Sequence, residues 1–109
     1  MGLFSKKPQW KKDAEKRPLF RNEIEDALRY FVIPKMKSEK KSDFKEGIRD
    51  LSLLSLNIAS FNTMSGGELN TEKDLQWFTK KVQKLMNMTN EEWNLFWNSE
   101  KVQKILKKL

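Results

Sequence analysis

Neither cysteine nor histidine occurs among the 109 residues of this chain. Without cysteine no disulfide framework can form, and without either residue no Cys/His zinc site or haem site can be built. The missing histidine also removes the commonest general base and the Ser-His and Cys-His nucleophile pairs. No apolar run approaches the ~18 residues of a membrane-spanning helix. The amino terminus does not show the basic, long apolar and small-residue order of a secretory signal. Sustained period-two alternation is absent and β-branched residues are few, so nothing reads as a sheet. The length suits one domain that buries roughly two-thirds of its unfolded-chain surface.

What is present is charge, aromatic mass and helical periodicity. Lysine and arginine total 22 against 15 acidic residues, a formal charge of +7. Residues 1–21 hold seven cations and two anions. Most of the excess therefore sits at the amino terminus. Lysine outnumbers arginine 18 to four, which favours diffuse attraction over bidentate reading of phosphates or guanines. Such a segment has the field to seek nucleic acid, an anionic membrane surface or an acidic protein, and it also serves plain solubility.

Residues 1–17, dense in charge and holding Pro8, read as a basic and loosely packed arm with at most a short helical piece around Gln9–Arg17. Residues 18–109 read as the packed domain. Pro18 suits a first helical position, where its missing N–H is harmless. Phe20, Ile24, Ala27, Leu28 and Phe31 then recur at spacings of three and four, a helical stripe. Pro34 is expected to end or kink that helix, and Lys35–Lys41 to form an exposed connector. Ser42 is a candidate N-cap for a helix through Met64. Its Phe44, Ile48, Leu51, Leu54, Ile58 and Phe61 share one arc, with Leu53, Leu56 and Met64 opposite. A helix apolar on nearly all sides is a buried one, so this is expected to be the centre of the fold.

Ser65-Gly66-Gly67 should stop it. No GxxxxGK[ST] or GxGxxG pattern accompanies the glycines, so a turn is expected and not a phosphate loop. Thr71 with Asp74 opens a helix to about Met88 carrying Leu75, Phe78, Val82, Leu85 and Met86. Thr89 with Glu92 forms a capping box for the next, carrying Trp93, Phe96 and Trp97. In one straight helix these aromatics would oppose Val102, Ile105 and Leu106. Either the chain bends at Asn98-Ser99, with Ser99 capping a final helix, or the second face meets a partner; the cap favours the bend. The fold class is all-α, a compact bundle of four to five helices with a basic amino-terminal arm.

The acidic residues Glu23, Glu25, Asp26, Glu91 and Glu92 lie in first helical turns, where the helix dipole stabilises them. A two-metal carboxylate site in a bundle normally uses inward Glu-x-x-His pairs, for which histidine is lacking. No enzymatic activity, cofactor, metal or small-molecule substrate is expected.

Four tryptophans and seven phenylalanines are a heavy aromatic load, and core packing absorbs most of it. Trp77 is an exception. It lies roughly 160° around its helix from Leu75, beside Lys81, Lys84 and Met88, which suits a partner, a base or a lipid interface. The structural alternative is that the amino-terminal segment folds back over it. Trp10, with Lys11 and Lys12 and the apolar Leu3 and Phe4, gives the arm the ingredients of an interfacial segment. The start Met1-Gly2-Leu3-Phe4-Ser5 misses the myristoylation pattern because Lys6 stands where Ser or Thr is needed.

The expected function is that of a small non-enzymatic interaction protein, docking on a protein partner or on itself. The alternative is nucleic-acid binding by the arm and the lysine-rich face around Trp77. Peripheral association with an anionic membrane is a third reading, and a cytoplasmic location is expected.

Overall fold

A computed structural model describes residues 8–64 and 71–109, with 61–64 and 71 described through their backbone alone. Leu3, Phe4, Lys6 and the Ser65-Gly66-Gly67 turn lie outside the described residues, as do the side chains of Phe61, Met64 and Thr71. The described residues form six helices and no strand: α1 (Gln9–Lys16), α2 (21–36), α3 (Lys41–Met64), α4 (Thr71–Met86), α5 (Asn90–Trp97) and α6 (Glu100–Lys107). None is long and apolar enough to cross a membrane.

The 24-residue α3 is the element against which α1, α2, α4 and α6 pack. Phe44, Ile48, Leu51, Leu54 and Ile58, the expected arc, are all buried. Burying one such side chain is worth roughly 1.5–3 kcal/mol. The opposite patch behaves differently. Leu56 is 59% exposed, so α3 is buried on one side and not all round.

The stretch α2 corrects two expectations. It begins at Arg21, with Pro18 in the connector before it. It also does not stop at Pro34 but runs on to Met36, because Leu28–Val32 form a π turn just upstream. Proline lacks the N–H that would bond Tyr30, and its ring crowds that carbonyl; a wider turn there accommodates both. The extra residue in the turn also shifts the buried face. Ile24, Ala27 and Leu28 are buried as expected, but Val32, Ile33 and Met36 follow them, while Phe20 is 71% exposed and Phe31 also faces out.

Helix α2 crosses closest to α3 at Gly47. A Cβ there would lie 2.9 Å from both Cγ and the backbone nitrogen of Met36, so only glycine permits this approach. Between the two helices the Ser38 hydroxyl accepts from Lys40 N–H and meets the Asp43 carboxylate at 3.0 Å, starting α3 at Lys41, just ahead of the expected Ser42 cap.

The segment expected to be a loose arm is a packed helix over its described part. Trp10 is 9% exposed and Ala14 is buried, both within the single core cluster. Asn57 of α3, itself buried, donates to the carbonyls of Ala14 (2.8 Å) and Arg17 (2.9 Å) and accepts from Leu19 N–H (3.0 Å). The last turn of α1 is thus closed by a side chain from another helix. The sequence reading missed this because α1 offers only two core residues, too few to make a stripe.

At the carboxyl end the bend is present. Asn87 takes the left-handed conformation (φ 57°) after α4, and Met88 N–H bonds the Gln83 carbonyl in a Schellman arrangement. Thr89 and Glu92 form the reciprocal capping box. Ser99 then caps α6: its hydroxyl accepts from Val102 N–H and donates to the Phe96 carbonyl. Trp93 stacks on Trp97 (5.5 Å between centroids) and Phe96 meets Phe44 edge-on. Val102 reaches the same core and is fully buried.

Candidate interaction surface

The residues singled out in the sequence fall into three settings. Trp10 and Lys11 are structural. The Trp10 ring packs near Phe31, and its indole N–H is buried without an acceptor. Lys11 Nζ lies 2.9 Å from the nearly buried Asp50 carboxylate and 3.3 Å from Glu46, while Lys35 reaches the same pair at 3.4 and 2.9 Å. Two cations and two anions thereby join α1, α2 and α3. The Lys35 hydrogen bond, ahead of that from Lys11, holds the Glu46 carboxyl below its ordinary value against the effect of burial. Lys12 is half-buried on the same helix.

The face around Trp77 is covered from within the chain, among the described residues by Arg21 at the start of α2 and by the connector before it. The Arg21 guanidinium sits 5.0 Å from the Trp77 ring centroid and 2.7 Å from Asp74. With Pro18, Leu19 and Ile58, Trp77 lines a cavity of about 160 Å³. Lys81 is bound to Glu25 at 2.7 Å, and this hydrogen bond lowers the Glu25 carboxyl. Met88 packs against the core, and Lys84 is exposed. The expected lysine-rich ring around an open tryptophan therefore does not form: one lysine is paired and the indole is capped by an arginine.

Val102, fully buried, is a core residue and not a contact for a partner. Leu106 is half-buried against the core. Ile105 has a second aspect, because it helps floor a groove between the start of α3 and the length of α6.

That groove gathers five lysines among the described residues, and the sequence reading missed it. Lys41 and Lys45 of α3 form one wall, and Lys101 and Lys104 of α6 with Lys108 just beyond it form the other, around about 620 Å³ of open space. Phe44 and Ile105 supply the apolar floor, and Glu100 is the one anion at its edge. Lys101 Nζ stands 4.1 Å from the Phe44 ring centroid, a cation–π contact. Lys104 meets Glu100 at 3.2 Å, but both are largely exposed, so this pair contributes little. Among the described residues Lys41, Lys45, Lys101 and Lys108 have no carboxylate partner. The signal in the sequence is the spacing of three and four from Lys101 through Lys104 to Lys108, which puts these three lysines on one side. Nothing local says that a second lysine wall stands opposite.

A separate ion pair joins the end of α1 to α2. The Glu23 carboxylate accepts from Arg17 at 2.6 and 2.9 Å and from Phe20 N–H. Those bonds, Arg17 first, lower its pKa to about 2 against a smaller opposing effect of burial. No group of three or more acidic residues suited to a metal ion occurs among the described residues.

Comparison with protein-family models, with curated proteins and with solved structures found no match. The surface itself carries the functional argument.

Proposed function

We propose that this is a non-enzymatic interaction module that binds an acidic protein partner through the groove between α3 and α6. The observation that carries this reading is a concave site with unpaired lysines on both walls and an apolar floor. Interfaces that are specific combine a desolvated apolar centre with a polar rim, and complementary charge directs the encounter. Ile105 supplies the centre, above the buried Phe44 ring; the five lysines supply the rim. The paired clusters at Asp50/Glu46 and Arg17/Glu23 serve the fold, whereas four of these five lysines have no carboxylate partner among the described residues.

Nucleic-acid binding is the second reading, because the same lysines suit a phosphate backbone. One feature favours protein: the one aromatic ring of the floor is buried beneath Lys101, so no base can stack on it.

Fluorescence anisotropy separates the two. A labelled glutamate-rich peptide with interspersed leucines and an oligonucleotide of equal charge are titrated with the full chain at about 50 and about 200 mM salt. Tighter peptide binding that persists at the higher salt supports the protein reading. Preferential oligonucleotide binding with a steep salt slope replaces it with the second.

A further inference from the structure

The protein-interaction reading leaves open the conformation of what the groove accepts, and the structure narrows it. Every described element around the site is a helix, and both groove walls are helical faces. An extended peptide here would find no strand edge, so its backbone N–H and C=O groups would lie against lysine stems and the apolar floor unpaired. A helix brings its own hydrogen bonds. Along α6 and its C-cap the lysines at 101, 104 and 108 repeat every three to four residues, spanning roughly 10 Å at 1.5 Å per residue. Carboxylates at the same spacing on an incoming helix meet that ladder in register, and the residue between them faces Ile105.

We propose that the groove receives an acidic amphipathic helix of a partner protein, laid along α6 with one apolar side chain on Ile105 and its carboxylates on the lysine walls. The occupant is not a second copy of this chain. A charge of +7 opposes bringing another copy to a lysine-lined face. Its own Glu91 and Glu92, beside the exposed Leu95, offer only two carboxylates, and Glu92 is bound to Thr89 N–H, while Glu25 and Glu46 are held by Lys81 and Lys35.

This inference rests on the protein reading of the groove, and its test is built to fail separately. Two synthetic peptides of identical composition are titrated with the full chain. In one, glutamates at helical spacing flank a leucine on a single face; in the other the order is scrambled. Calorimetry gives the affinities, and circular dichroism of a stapled and an unstapled form gives the helix gained on binding. The ordered peptide is expected to bind at least ~10-fold more tightly than the scrambled one, about 1.4 kcal/mol, and to become helical. Lys104→Glu should weaken it ~10-fold or more, and Ile105→Glu should erase the difference between the two peptides. Far-ultraviolet spectra confirm that both variants fold.

Equal affinity for the two peptides overturns the helical occupant and leaves the protein reading standing. Binding that Lys104→Glu does not touch overturns the groove as the site. Failure of both peptides where an oligonucleotide binds overturns the inference and the protein reading together. Salt-sensitive self-association of the free chain, abolished by Lys104→Glu, would give the groove to a second copy instead.

Discussion

At the scale of single residues, the tightest constraint is Gly47. Its position against the Met36 backbone leaves no room for a methyl group, and backbone cannot swing aside as a side-chain tip does. Gly47→Ala should therefore cost about 1–3 kcal/mol as an overpacked contact, even though alanine is the better helix former by up to ~1 kcal/mol. Urea denaturation measures the difference, and a stabilised variant would show that α2 and α3 do not approach so closely. Glu23 makes a second residue-scale case. Its carboxyl is held at about 2 in the folded chain, against an ordinary value of 4.5. A depressed folded value means that the contribution is complete above about pH 4.5 and is lost as pH falls through about 2. Glu25 and Glu46 are lowered as well and act in the same direction. Acid titration of stability should show Glu23→Gln losing part of the wild-type dependence in that window and no more above it.

At the scale of elements, α1 depends on α3 more than on itself. Eight residues cannot hold a helix in water unaided. What holds it is Trp10 in the core, the Lys11 bond to Asp50 and the Asn57 clamp on its last carbonyls. Asn57→Ala strands those carbonyls and should cost about 1–3 kcal/mol. Removal of residues 1–17 should lower the unfolding free energy by more than ~1 kcal/mol, opposite to what an unstructured arm would give. Equal stability of the truncated and full chains would return the segment to the status of a tail. The π turn in α2 shows the same dependence on context. Its Pro34 breaks the regular ladder, yet the helix continues because Ile33 and Met36 bury against α3, whose Gly47 closes on Met36.

At the scale of the whole molecule, charge is distributed by folding and not by sequence position. Residues 1–21 carry the largest local excess, but Lys11 and Arg17 are consumed by internal ion pairs and Arg21 by Asp74 and Trp77. Among the described residues, five other lysines gather between α3 and the end of α6. Reversing the exposed Lys41 and Lys104 to glutamate together should leave stability within about 0.5 kcal/mol, as exposed substitutions do. The same change should flatten the salt dependence of binding to any anionic probe. A salt slope that survives it would place the electrostatic footprint elsewhere, on residues 1–7 or around Lys84.

The amino-acid sequence by itself determined the all-α class, the burial of the α3 arc and the two caps at Thr89 and Ser99. These are local matters. A period of three to four apolar residues, or a hydroxyl placed three residues before an N–H, is written within a few positions of the chain. The tertiary structure alone decided that α1 is packed, that α2 passes through Pro34, that Trp77 lies beneath Arg21, and that two sets of lysines 60 residues apart face each other across one groove. Each of these depends on which helix meets which. An amphipathic pattern states that a face must be covered, but it does not name the element that covers it, and exposure of the remaining charges follows only from that pairing.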